Sequence, residues 1–452
     1  MRKHGWLLLL LGLTLVRGLL YAAVIPPWQA PDETGHFEYT WTIAHHGALP
    51  TSADASPSFE QELLSSLYAW RYGEHIGHAL PEAMPDRFDA LPASIHAQRS
   101  RTLRSGRFSL AYVWAALFLL PVRQQALVTQ LYFARFASVV LSVGIVWLAF
   151  KIFSALLPSA PRLVLLMTGV VVFLPQHTFI NSTVGEGPLA ELLACWVLWC
   201  WIRIFRQRHS LGAWGGIVLG TLLGIWSKST AVFLLPLDLG LAIWWLVRQD
   251  GKFWTRRVLF FSVVGAGVLA VGLQVWGRSQ LGTVVLKRLM DGIHGLRTLD
   301  LLWVDVRGIT FGEALLGTHE SFWANFGWMM LPVNGRWYGG LTLLVCLSLM
   351  GWLWGRSQKR LPPWALGILG GALVLASGVF VWVSLLGKQL YYQPQGRYLF
   401  PVLVPYAFLL VGGLARLFAP RLRGPVLAFL GLGLVFFDTW CLAAYIFPYF
   451  YL

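Results

Sequence analysis

The sequence predicts an all-α polytopic membrane protein with about eleven transmembrane helices, and three observations predict it. Apolar runs of about 20 residues, the length that crosses a hydrocarbon core, recur from one end of the chain to the other. Of the 452 residues, 57% are hydrophobic and only 12% charged, with a mean hydropathy of +0.62; a soluble domain is far less apolar. The lysines and arginines behind the net charge of +15 gather in short loops between the runs, as the bias toward basic cytoplasmic loops requires. Topology therefore accounts for the charge, and no nucleic-acid partner is expected. Cys195, Cys200, Cys346 and Cys441 fall in apolar runs without metal-ligand spacing, so neither a disulfide nor a zinc site is expected.

Residues 1–452 read as a single transmembrane domain. Arg2 and Lys3 place the N-terminus in the cytoplasm. The first helix covers roughly 6–25, and Pro26-Pro27-Trp28 lacks the small-residue pattern of a cleavage site, so this helix reads as retained. A long polar outer segment follows at 26–107. Within it, Phe59 to Leu80 sets Leu63, Leu64, Leu67 and Trp70 among charged residues, which predicts an amphipathic helix along the membrane surface. Phe108 to Pro121 is too short to span and reads as interfacial or re-entrant.

Span two is predicted at 127–150, span three from Arg162 to Phe179, and span four ends at Arg203. Residues 212–247 read as a hairpin of two short spans with Lys228 at its outer tip. Span seven is placed at 258–276 and a second outer segment at 278–335. Spans eight and nine follow at 337–355 and 363–386. Span ten ends near Arg416, and span eleven, 425–446, leaves the C-terminus outside. Neither an internal repeat nor an inverted symmetry of broken helices is present, which counts against a secondary transporter.

The densest chemistry lies just after the first helix, in Pro26-Pro27-Trp28-Gln29-Ala30-Pro31-Asp32-Glu33-Thr34-Gly35-His36-Phe37. Its prolines predict an extended approach, with Asp32, Glu33 and His36 where the chain leaves the bilayer. Placement by loop charge brings Glu186, Lys228, Lys388 and Arg397 to the same outer face. Each has a plainer alternative. Arg397 could anchor a span at the interface, Lys228 could snorkel to headgroups, and Lys388 could be a solvated end charge. Glu186 could be an acid favoured at a helix start, and His36 a turn residue.

Two motifs carry a resemblance: Pro31-Asp32-Glu33-Thr34-Gly35-His36-Phe37 after the first helix, and Gln395-Gly396-Arg397-Tyr398-Leu399-Phe400-Pro401 before span ten. With the span layout and the long first outer segment, they resemble the C-type glycosyltransferase superfamily (GT-C), polytopic enzymes that use polyprenyl-phosphate sugars. The likeness is greatest to an uncharacterised bacterial branch reading PDE-x-x-HF and QGRY-x-x-P. It is more distant to protein O-mannosyltransferases and lipid A aminoarabinose transferases. The resemblance implies a bacterial inner-membrane enzyme with its site on the extracytoplasmic face, taking a polyprenyl-phosphate sugar as donor and a glycan, lipid or protein as acceptor. It implies Asp32 as general base on the acceptor hydroxyl, with Glu33 and His36 beside it and inversion at the anomeric carbon. A departing phosphate needs fixed positive charge, which suits Lys228, Arg397 and Lys388; Arg offers a fork and Lys a point charge.

No cofactor is assigned. In some relatives an acidic turn after span three joins the first acid in holding a divalent cation. Here Asp32 and Glu186 would be that pair for Mg or Mn, but a hard cation needs several oxygen ligands. Two other classes compete. A lipid-linked sugar flippase would place charges at mid-membrane depth, whereas the charges here are expected at span ends. A glycan ligase or polymerase using a lipid diphosphate would centre on an Arg-rich outer loop, and Arg99, Arg101, Arg104 and Arg107 keep that reading open.

Overall fold

The computed structural model describes residues 3–47, 57–76, 80–92, 109–207, 210–248, 311–354, 362–381 and 395–452. Span seven, Lys388, the Arg99–Arg107 run and residues 278–310 lie outside the described residues.

The architecture is all-α. The strands among the described residues are a two-residue antiparallel pair, Asn325–Phe326 with Leu331–Pro332. The α-helices are α1 (Lys3–Val24), α2 (Glu33–His46), α3 (Pro57–Ala69), α4 (Tyr72–Ile76), α5 (Leu110–Leu119), α6 (Leu127–Leu156), α7 (Pro161–Phe173), α8 (Pro175–Asn181), α9 (Gly187–Gln207), α10 (Leu211–Ser227), α11 (Leu234–Val247), α12 (Phe311–Trp323), α13 (Gly335–Trp354), α14 (Pro363–Phe380), α15 (Leu403–Leu417), α16 (Pro420–Trp440) and α17 (Phe447–Tyr451). Eight of the described helical stretches are long and apolar enough to span a membrane, nine if α7 and α8 count as one. Together with the shorter α10, they coincide with ten of the expected spans. The bend between α7 and α8, 55°, falls at Pro175, whose ring removes a backbone donor and clashes with the preceding turn.

In lipid, helices gain little by hiding apolar surface from one another, so close backbone approach and interhelical hydrogen bonds hold them together. Between α13 and α15 both devices operate. A Cβ on Gly351 would fall on the backbone of Gly413, and one on Gly413 on that of Ser348. Ser348 Oγ and Trp352 Nε1 both donate to Leu409 O, at 3.0 and 2.7 Å. The main core lies where α1, α6, α7, α9, α11, α14 and α15 converge, at Leu10, Ile145, Val171, Trp201, Leu237, Ile368 and Phe408.

A second core caps one end of the bundle. It joins Trp28, Phe37 and Trp41 to Phe59, Leu63, Leu64 and Leu67 of α3 and to Leu127 and Leu131 of α6. This corrects the expected surface helix. Helix α3 ends at Ala69, Arg71 follows in the left-handed region (φ 50°), and the apolar stripe packs into protein. The expectation that charges sit at span ends is also corrected. Arg17 of α1 donates to Asp438 of α16, with Nε 2.8 Å from Oδ2. His177 Nε2 lies 2.9 Å from Glu191 Oε1, both buried. Asp238 accepts from Trp201 Nε1 and Thr221 Oγ1 at 2.6 and 2.5 Å. Each is an ionisable side chain, buried or partly buried, given hydrogen-bonding partners, the condition for tolerating it away from water.

Candidate functional site

The segment after α1 is a strained turn, which corrects the expected extended approach. Trp28 (φ 72°) and Asp32 (φ 64°) both adopt left-handed backbone, unfavourable for a bulky residue and tolerable for Asp. Such conformations persist only where the surroundings over-determine them. Here Trp28 is fully buried; its backbone N–H donates to Glu33 Oε2 at 3.1 Å and its Nε1 to Ser66 Oγ at 2.8 Å. Its carbonyl accepts from Trp328 Nε1 at 3.1 Å.

Glu33 is the anchor of this turn. It is paired with Arg135 of α6, and both side chains are fully buried. All five N–H groups of the guanidinium are engaged. Nε donates to Glu33 Oε1 at 2.9 Å and Nη2 to Oε2 at 2.6 Å. The other three reach the carbonyls of Ala22 (2.9 Å), Ile25 (2.5 Å) and Pro26 (2.9 Å). These carbonyls belong to the end of α1 and its exit, where backbone acceptors lack intrahelical partners. Val184 N–H also donates to Glu33 Oε1, at 3.2 Å, so the clasp fixes the turn before α9. Glu33 is thereby buried in the clasp, whereas its neighbour Asp32 stays partly exposed.

Asp32 begins α2, but its side chain makes no helix-capping hydrogen bond. It accepts instead from Arg397 Nη2 at 3.1 Å, with the Asp32 side chain 38% exposed and Arg397 11%. Arg397 sits in the 3-10 turn Gly396–Val402 that leads into α15. Gly396 is required there, because a Cβ would run into the Phe322 backbone. Its N–H donates to Ser321 Oγ at 2.8 Å.

Lys228 links α10 to the following 3-10 turn in extended backbone (φ −154°). Ser109, at the start of α5, donates to the neighbouring Ser227 carbonyl at 2.7 Å. The ammonium lies 5.1 Å from the Tyr398 ring centre and the Arg397 guanidinium 5.5 Å from it, within cation–π range. Burial pulls the Lys228 pKa down to about 8, Arg397 adding to the effect and Glu186 and Asp32 opposing it.

Tyr112 of α5 bridges His36 and Glu186. Its hydroxyl donates to Glu186 Oε1 at 3.0 Å and lies 2.7 Å from His36 Nδ1. A hydroxyl has one proton, and a carboxylate only accepts. The partners thus assign a proton to His36 Nδ1, which donates to Tyr112, and leave Nε2 as the basic nitrogen. Burial lowers the His36 pKa, Glu186 and Asp32 opposing the shift and Arg397 and Lys228 adding to it, so the ring is neutral at neutral pH. Tyr39 packs under Tyr112 with the rings tilted by 31° and 4.5 Å between their centres.

Asp32 and His36 at the start of α2, Glu186 before α9, Lys228 after α10 and Arg397 before α15 thus come from four separate stretches to one end of the bundle. Tyr39 and Tyr112 beneath them are buried, whereas the five keep part of their surface accessible. One donor among them, Arg397 Nε, is buried without a hydrogen-bond partner. Lys388 lies outside the described residues. Sequence reasoning missed Arg135, Tyr112 and Tyr398. An arginine inside an apolar run is a signal in its own right, and Tyr398 adjoins Arg397 in the second motif; Tyr112 gave no signal. Among the described residues no group of three His, Cys, Asp or Glu side chains could hold a metal ion. Asp32 and Glu186 share their surroundings with two cations, a poor setting for a further divalent one.

Fold and site together define a helical, polytopic membrane protein with a charged, tyrosine-lined cluster at one end. Residues 15–405 match the family described as predicted membrane protein (DUF2142), and the chain belongs to that family. No curated protein and no solved structure matches it.

Proposed function

We propose that this protein is a GT-C-type glycosyltransferase of a bacterial inner membrane, with its site on the extracytoplasmic face. It moves a sugar from a polyprenyl phosphate to an acceptor hydroxyl. The observation that carries the reading is the meeting of Asp32 with Arg397 and Lys228 in one accessible cluster. Oxygen of the acceptor attacks the anomeric carbon while its proton passes to Asp32, which a poor nucleophile requires. The bond from that carbon to the phosphate oxygen breaks on the opposite face, inverting the centre. The phosphate leaves with the electron pair, stabilised by Arg397 and Lys228 in a setting where fixed charge acts strongly. The Arg397 fork, whose Nη2 already meets the partly exposed Asp32 carboxylate, supplies donors for it. His36 Nε2 is suited to accept a hydrogen bond from an acceptor hydroxyl.

The test is transfer in detergent from a synthetic polyprenyl-phosphate sugar by wild type and Asp32→Asn. Transfer unaffected by the change would remove the general-base role.

One observation favours a second reading, a flippase for lipid-linked sugars. The α7–α8 break holds a buried His177–Glu191 pair with Asn181, and broken helices with buried charge are the marks of transport sites. Movement of a labelled lipid-linked sugar across reconstituted vesicles, without glycosyl transfer, would favour it.

A further inference from the structure

The span Gly396–Leu417 has the cluster at one end and arginines at the other. Arg162 lies in the first turn of α7, Arg421 and Arg423 in the first turn of α16, and neither turn carries an acid. Helix starts already bear positive partial charge, and acids are the residues normally favoured there. The two starts adjoin, since Arg162 Nη1 lies 3.5 Å from where Gly424 would carry a Cβ. Arg416 sits over the Trp352 ring at 3.3 Å. Among the described residues, Arg162, Arg416 and Arg421 form no ion pair with an acidic side chain. Arginines that only mark topology need no more than solvent; positive charge focused on two helix starts calls for an anion.

An apolar groove of about 420 Å³ opens beside this patch, between α13, α15 and α16, lined by Leu344, Leu347, Leu414, Phe418, Val426 and Leu430. Patch and groove share a rim, because Arg423 Nη2 donates to the Phe418 carbonyl at 3.3 Å. Phe429, on the groove wall, and Leu422, outside it, are exposed, as side chains facing lipid are.

From the adjoining helix starts, the arginines and the groove, we infer a binding site for an anionic glycerophospholipid. One acyl chain fills the groove and the headgroup phosphate sits on Arg162 and Arg421, in the leaflet opposite the candidate site. Free phosphate lacks the chain, and a zwitterionic lipid lacks the net charge that the patch complements. The inference does not depend on the transferase reading.

Full-length protein in detergent, stripped of lipid, would be titrated with phosphatidylglycerol, phosphatidylcholine or inorganic phosphate, and followed by native mass spectrometry and melting temperature. Phosphatidylglycerol should be retained several-fold more than phosphatidylcholine and raise the melting temperature, with inorganic phosphate doing neither. The double variant Arg162→Gln, Arg421→Gln should bring the two lipids to parity, and Leu347→Trp, which fills the groove, should weaken both. Should a variant fail to fold, wild type alone decides: added salt should weaken phosphatidylglycerol retention and spare phosphatidylcholine. Equal retention of the two lipids by wild type, salt-insensitive preference, or full preference in the double variant would overturn the site.

Discussion

Arg397 Nη2 donates to Asp32 Oδ2 across 3.1 Å, although 365 positions separate the two residues. In the proposed reaction one of them grips a phosphate and the other takes a proton. A donor phosphate therefore competes with Asp32 for the guanidinium, and binding and base are linked through one contact.

Asp32→Asn should lower transfer by about 10²- to 10⁴-fold, the usual contribution of a positioned base. Its melting temperature should stay near wild type, because the side chain is 38% exposed. Arg397→Lys keeps the charge and loses the fork, so its donor KM should rise. Assays of initial rate against donor concentration, with melting curves, separate the two effects; a KM unchanged in Arg397→Lys would show the fork to be dispensable.

Glu33→Gln and Arg135→Met should fail in a different way. Removing one partner of a buried pair leaves the other charge uncompensated, at a cost of about 3–5 kcal/mol, and Arg135 also satisfies three carbonyls. Low yield and a depressed melting temperature are expected. A stable Glu33→Gln protein with an isolated catalytic defect would return Glu33 to the chemistry.

The donor dependence of kcat/KM should fall as pH rises through about 8, where Lys228 loses its proton. The sign follows from the group: the ammonium binds phosphate, the amine does not. Bound phosphate favours the charged form, so the corresponding limb in kcat should lie higher. Lys228→Arg should abolish the limb, since a guanidinium stays protonated. A profile that keeps its limb in this variant would assign the titration elsewhere.

Tyr112→Phe removes the hydroxyl between His36 and Glu186. Leaving buried polar atoms without partners costs about 1–3 kcal/mol, so the melting temperature should drop while the fold survives. Histidine NMR should show the His36 tautomer preference weakened. An unchanged ring spectrum would mean that Tyr112 does not set it.

Gly351→Val should separate α13 from α15, because the added carbons meet the Gly413 backbone. Overpacking costs about 1–3 kcal/mol. Loss of thermal stability without change in donor KM is the expected result.

Much of the fold was legible because a bilayer leaves a chain few options. A span needs about 20 apolar residues and loop basicity sets its side, and ten of the stretches so expected are apolar helices among the described residues. The amphipathic stripe of α3 was also legible, but not what it faces. Phe59 and Leu63 pattern identically whether lipid or α2 covers them, and only packing distinguishes the two. Positive backbone angles at Trp28 and Asp32 were hidden, because prolines restrict their own residue and the one before, and neither restriction forces a left-handed turn.

By itself the sequence determined the class of protein, the order of its spans, and the placing of Asp32, His36, Glu186, Lys228 and Arg397 at one end, because hydropathy and loop charge are local properties written residue by residue. Tertiary structure alone decided which of them touch. It turned Asp32 to Arg397, withdrew Glu33 into a clasp with Arg135, and set Tyr112 between His36 and Glu186. Those outcomes depend on side chains brought together from distant positions, and short-range pattern carries no record of such meetings.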